Sequence, residues 1–72
     1  MRKSDLEKLL KGGLVEIKEN DKIIGGLQID LECNMFLALK YIGKDLKGID
    51  DYISLNLWNT LEEAIKEVKD LA

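Results

Sequence analysis

The sequence contains no histidine, no proline and a single cysteine, Cys33, among its 72 residues. Without histidine, the chain has no side chain whose ordinary pKa lies near neutral pH, and it lacks the commonest metal ligand. One thiol cannot form an internal disulfide, nor supply the several thiolates of a structural zinc site. These absences exclude a histidine-based catalytic triad, and they predict a protein that is not an enzyme and uses no metal or cofactor.

The length predicts one domain, residues 1–72. A domain of this size buries only about 60% of the surface that its unfolded chain exposes. Small natural folds often add disulfides, a metal or a second subunit to compensate. Because the first two are excluded here, either the 46% hydrophobic content is sufficient for a monomer, or a second copy completes the core.

The net charge of −3 is unevenly distributed along the chain. Residues 1–48 carry nine basic and eight acidic side chains, whereas residues 49–72 carry two and six. An acidic segment repels phosphate backbones, which makes nucleic-acid binding unfavourable. No apolar run approaches the roughly 18 residues that span a bilayer, and no signal-peptide core follows Met1-Arg2-Lys3. With one unpaired thiol, the chain is predicted to be cytoplasmic and to bind no membrane.

Two helices are predicted, near residues 5–11 and 60–71. The capping-box spacing occurs at Ser4 with Glu7, and again at Thr60 with Glu63 or, alternatively, Asn59 with Glu62. The second helix has one apolar stripe, made by Leu61, Ala64, Ile65, Val68 and Leu71. We expect Leu61, Ile65 and Val68 to pack on a sheet.

Alternating apolar and polar residues predict strands at 14–19, 27–32 and 52–58. The run 35–42 favours a strand, although Asn34 and Gly43 would also suit the ends of a helix. A turn is predicted at Asn20-Asp21 and a bulge at Gly25-Gly26. Alternation predicts inward side chains at Val15, Ile17, Ile23, Leu27, Ile29, Leu31, Cys33, Met35, Leu37, Leu39, Tyr41, Ile53, Leu55 and Leu57. Leu46 and Ile49 are expected to anchor the loop at 43–50.

This order of elements predicts an α+β fold. The four strands follow one another as α-β-β-β-β-α, which indicates an antiparallel three- to four-stranded meander. The N-terminal and C-terminal helices are expected to pack on one face of that sheet. The other face then remains open.

The aromatic residues are the strongest candidates for a binding surface. Phe36, Tyr52 and Trp58 alternate with the expected core positions, so they are predicted on the open face. Trp58 alternatively closes the end of the core, because tryptophan is usually mostly buried. Together with the acidic Glu62 and Glu63, these aromatics form the predicted interaction surface. A homodimer whose interface includes Trp58 or Tyr52 is expected.

One segment of the chain, and the order of its elements, each resemble a known family. The segment from Trp58 to Val68 resembles the strand followed by a T-L-E-E-A helix in HicB-like antitoxins, which implies an antitoxin-like function. The element order is similar to that of double-stranded-RNA-binding domains, which implies nucleic-acid binding. That family places a basic cluster at the start of its last helix, where this chain has Thr60-Leu61-Glu62-Glu63.

In its size, its acidity and its lack of catalytic residues, the chain also resembles small phage or mobile-element accessory proteins. Together these observations predict a small cytoplasmic protein-interaction or regulatory module with a protein partner. Nucleic-acid binding, through the lysines of the 40–47 segment, is the alternative.

Overall fold

Six elements follow one another along residues 2–71, the part of the chain that the computed structural model describes. They are α1 (Lys3–Leu10), β1 (Val15–Glu19), β2 (Lys22–Asp30), β3 (Met35–Lys44), β4 (Asp50–Trp58) and α2 (Leu61–Asp70). All strand pairs are antiparallel, and the sheet has the order β1-β2-β3-β4. The predicted α-β-β-β-β-α fold is therefore confirmed, and residues 35–42 belong to a strand.

Both helices cover the same face of the sheet. One buried cluster combines α1, the sheet and α2 through Leu9, Val15, Leu27, Ala38, Ala64 and Val68. Leu61 and Ile65 pack against this cluster, as the apolar stripe of α2 predicts. We call this side of the sheet the helix side, and the opposite side the open face.

A two-residue turn joins β1 to β2, as predicted. Asn20 and Asp21 both have positive φ, 52° and 63°, which suits the right-handed twist of a hairpin. Ile17 lies opposite Gly25 whereas Lys18 lies opposite Ile23, so one extra residue of β2 is bulged at position 24. The predicted bulge is present, directly before Gly25. It turns Ile24, rather than the expected Ile23, toward the core cluster.

The two predicted helix caps differ in outcome. Thr60 is the N-cap of α2, where its hydroxyl accepts the N–H of Glu63 at 3.3 Å and donates to the Glu63 carboxylate at 2.8 Å. The predicted cap at Ser4 is wrong, because α1 begins at Lys3 and its N-cap is Arg2. Ser4 therefore lies inside the first turn, past the position from which a side chain caps a helix.

Thr60→Ala is expected to lower the free energy of unfolding by about 1 kcal/mol, because it removes the side-chain acceptor at the start of α2. Ser4→Ala is the matched control and is expected to change stability by less than about 0.5 kcal/mol. Urea unfolding followed by circular dichroism measures both. Equal losses for the two variants would contradict this assignment of the caps.

The predicted inward positions of Leu31 and Cys33 are wrong. β2 ends at Asp30, whose carboxylate accepts the N–H of Glu32 at 3.0 Å, and the chain turns through residues 31–34 with Asn34 at φ 55°. Leu31 is consequently 64% exposed, and Cys33 is a free, exposed cysteine. A side chain in a turn no longer follows the alternation of the strand before it.

The loop between β3 and β4 is organised by Asp45 rather than by apolar anchors. The Asp45 carboxylate accepts the N–H groups of Lys47 and Ile49 at 2.8 and 3.0 Å. Leu46 is fully exposed and Ile49 is 60% exposed, so the expectation that they anchor the loop is wrong. Hydrogen bonds to one carboxylate fix this loop without burial of its aliphatic residues.

The turn at 31–34 also reverses the predicted faces of β3. Its four residues are an even number, so Ile29 of β2 lies opposite Phe36 and not opposite an odd-numbered residue. Phe36 and Ala38 therefore point to the helix side, where both contact the core cluster. The neighbouring Leu37 and Leu39 point to the open face, contrary to prediction.

A second bulge reverses the alternation once more in β4. Leu37 pairs with Leu57 and Leu39 pairs with Ser54, so two residues of β4 oppose Ala38 alone. Leu55 consequently packs against the core cluster as predicted. Leu57 and its partner Leu37 lie on the open face, together with Met35 and Tyr41. The inward positions expected for these four residues are wrong.

Candidate interaction surfaces

The structure divides the predicted interaction surface among three places. Phe36 and Trp58 are paired neighbours on the helix side, half-buried against the core. Tyr52 lies on the open face. Glu62 and Glu63 are exposed in the first turn of α2. Of these five residues, Trp58 and Glu63 come together in one groove.

This groove, called the Trp58 groove below, follows the flank of α2 that faces β4. It has a volume of about 380 Å³, and its lining consists of Trp58, Glu63, Lys66, Glu67, Asp70 and Leu71. The helical members recur at intervals of three or four residues, which places them along one stripe of α2. The groove is thus bounded by the end of an edge strand and one helix flank.

Glu67 holds the aromatic wall of the groove in place. The indole N–H of Trp58 donates to one carboxylate oxygen of Glu67 at 3.0 Å. The side-chain amide of Asn56 donates to the other oxygen. Bonds from two strand residues to both oxygens of a carboxylate restrict its rotation, so the indole is held in one orientation before any ligand arrives.

The Trp58 groove is negatively charged. Three carboxylates, Glu63, Glu67 and Asp70, line it together with one ammonium group, that of Lys66. The apolar surface comes from Trp58 and from Leu71, which is 48% exposed. This combination attracts cationic groups to the apolar surface of Trp58 and Leu71.

The second surface is the open face of the sheet. Two central glycines distinguish the helix side of the sheet from the open face. A Cβ at Gly25 would meet Val68 of α2, whereas a Cβ at Gly26 would meet Leu14. Gly26 is in register with Leu39, which is only 5% exposed, on the face away from the helices. The apolar members of the open face are Leu14, Ile23, Met35, Leu37, Leu39, Tyr41, Tyr52 and Leu57.

A tyrosine pair lies at one end of the open face. The rings of Tyr41 and Tyr52 are 5.4 Å apart between centroids and inclined by 59°, a favourable arrangement for aromatic side chains. The Tyr41 hydroxyl donates to Asp50 Oδ1 at 3.0 Å. The Tyr52 hydroxyl is buried and has no hydrogen-bond partner within residues 2–71. Burial raises the pKa of Tyr52, and the nearby Glu16 carboxylate raises it further.

The same end of the face carries an ion pair. Lys44 Nζ lies 2.9 Å from Asp50 Oδ1. The hydrogen bond from Lys44, and then that from Tyr41, lowers the pKa of Asp50 below its ordinary value. Reciprocally, the bond to Asp50 raises the pKa of Lys44. Both groups are therefore fully charged throughout the neutral range.

Sequence reasoning missed Tyr41, Leu37 and Leu57 as members of an exposed surface. Each was assigned to the core by parity, and the turn at 31–34 with the β4 bulge reverses that parity. Residues that could have revealed the reversal are Asp30 and Asn34, because a carboxamide or carboxylate at such positions is typical of a tight turn.

No group of three or more Asp, Glu or Cys side chains in the described residues is placed to hold a metal ion. Between residues 2 and 71, no helix has the length and apolar character needed to cross a membrane. Comparison with protein-family models, with curated proteins and with solved structures found no match to the chain.

Proposed function

We propose that the protein is a small, non-enzymatic protein-interaction module that regulates its partner by binding it in the Trp58 groove. The segment that fits this groove has one apolar side chain next to lysine or arginine. The observation that carries the proposal is the indole of Trp58, fixed by Glu67 in a groove that three carboxylates line. A preorganised site lowers the entropy that binding must overcome.

The apolar part of the groove supplies the binding energy. Tryptophan is among the residues that contribute most at protein interfaces, especially where its ring is partly enclosed. Trp58 is half-buried, and Leu71 adds a second apolar side chain to the lining. An aliphatic side chain of the partner would cover both.

The charged part of the groove selects the partner. Three carboxylates against one ammonium group leave an excess of negative charge around the indole. Such a potential speeds the approach of basic segments and repels acidic ones. It also disfavours a phosphate backbone, which carries the same sign of charge.

The sole tryptophan of the sequence gives a direct test, because its fluorescence reports the groove alone. A capped peptide with one leucine between two lysines is titrated into the protein. We expect a saturable change in emission, and none with a peptide that has glutamate in place of lysine. The double variant Glu63→Lys with Asp70→Lys is expected to weaken binding by at least about tenfold.

The matched control is Glu19→Lys with Glu32→Lys, which changes the net charge equally at exposed positions outside the groove lining. This control should bind the basic peptide nearly as well as the unmodified protein. An equal loss in both double variants, or no saturable signal, would overturn the proposal. So would tight binding of an RNA duplex that weakens steeply as salt rises, which is the signature of phosphate contacts.

A further inference from the structure

The folded chain exposes more surface than its mass predicts. Its accessible area is 5196 Å², and its mass is 8.2 kDa. A monomer of that mass exposes about 4,500 Å² on average, which leaves an excess of about 650 Å². A standard interface buries about 800 Å² per partner, so the excess is close to what one stable interface requires.

The area of the open face is of the same order as that of one such interface. Strands lie about 4.8 Å apart and rise about 3.3 Å per residue, so the flat area of a sheet with these strand lengths is roughly 500 Å². Side chains that project from the sheet increase its accessible surface. Helices cover the other side of the sheet. The open face is the side of the sheet that neither helix covers.

The chemistry of the open face is that of an interface. Leu57 is 40% exposed, and Met35, Leu37, Tyr41 and Tyr52 are half-buried. Aromatic residues and methionine are enriched at interfaces relative to the rest of a protein surface. Leu37 pairs with Leu57 and Tyr41 pairs with Tyr52 across β3 and β4, so two pairs of apolar side chains lie side by side on this face.

The charges of the open face favour a second copy as its partner. Lys18 pairs with Glu16 at 3.8 Å, and Lys44 pairs with Asp50 at 2.9 Å, so each of these charged groups near the tyrosines already faces an opposite charge. Asp30 lies at the opposite end, where its carboxylate is bonded to the turn. The chain as a whole has a charge of −3, and three carboxylates line the α2 flank, so contact between two α2 flanks would be repulsive. Contact between two open faces avoids that repulsion.

We infer that two copies associate through their open faces as a two-fold symmetric dimer. The four-stranded sheets stack face to face, as in a β-sandwich, with the helices on the outside. The same residues of each copy contact the partner, as two-fold symmetry requires. Tyr52 lies inside this interface, whereas Trp58 remains on the helix side, so the dimer leaves the Trp58 groove free.

Sedimentation equilibrium from micromolar to millimolar concentration tests the inference. We expect the unmodified protein to approach twice its monomer mass. Leu57→Lys should remain monomeric at concentrations where the unmodified protein is dimeric. Leu10→Lys is the matched control, since Leu10 is 71% exposed on α1, and it should dimerise normally.

An unmodified protein that stays monomeric over the whole range would overturn the inference, whatever the variants do. A dimer that survives both Leu57→Lys and Leu37→Lys, with unchanged circular dichroism, would place the interface elsewhere and overturn it too. The fluorescence titration with the basic peptide is independent of both results, because monomers and dimers present the same Trp58 groove.

Discussion

Gly25→Ala is expected to destabilise the fold by about 3 kcal/mol, because the new methyl group has no space. A Cβ at this position would overlap the carbonyl oxygen of Leu39 and Cγ1 of Val68. The first atom belongs to the backbone of β3 and cannot move alone. The second belongs to α2, so the helix must lift from the sheet. Urea unfolding should show the loss directly, since a domain of this size has roughly 4 to 10 kcal/mol in total.

Gly26→Ala is the control, because it makes the same chemical change one residue later. A Cβ there would approach Leu14 at 3.3 Å and the carbonyl oxygen of Val15 at 3.2 Å. These contacts are tight, but Leu14 is a side chain on the open face and can shift. We expect a loss of about 1 kcal/mol. Equal losses at both glycines would show that backbone conformation, and not contact with α2, determines the effect.

Leu27→Ala is expected to cost about 3 to 4 kcal/mol. The Leu27 side chain is fully buried between both helices and the sheet, within the core cluster. Truncation removes the Cγ methine and both methyl groups, and it leaves a cavity that the surrounding elements fill only in part. Thermal or urea unfolding of the variant gives the value.

Leu31→Ala provides the comparison, four residues further along the chain. Its side chain is 64% exposed in the turn after β2, so we expect a change within about 0.5 kcal/mol. Alternation alone assigns both leucines to the core with equal weight. A loss at Leu31 as large as that at Leu27 would mean that the turn at 31–34 is not formed as described.

Local signals were sufficient for the elements and their order. The capping pair Thr60–Glu63 and the apolar stripe at Leu61, Ile65 and Val68 located α2 within a residue of its observed bounds. The Asn20-Asp21 turn and the bulge before Gly25 were also readable, because both depend on residues adjacent in sequence. The strand at 35–42 was correctly preferred over a helix.

The faces of β3 and β4 could not be derived in the same way. They depend on whether the turn after Asp30 contains an odd or an even number of residues, and on the β4 bulge opposite Ala38. A difference of one residue moves every side chain of a strand to the other face. The predicted interaction residues were therefore divided, with Tyr52 on one side of the sheet and Phe36 and Trp58 on the other.

The order β1-β2-β3-β4 also determines how quickly the chain finds its fold. Each strand pairs with its neighbour in sequence, so every loop between paired strands is short. Chains with such local pairing fold faster than sheets whose strands are brought together from distant segments. The sequence has no proline, so folding has no slow phase from prolyl cis/trans isomerisation. The newly made chain therefore exposes its apolar strands only briefly before they are paired.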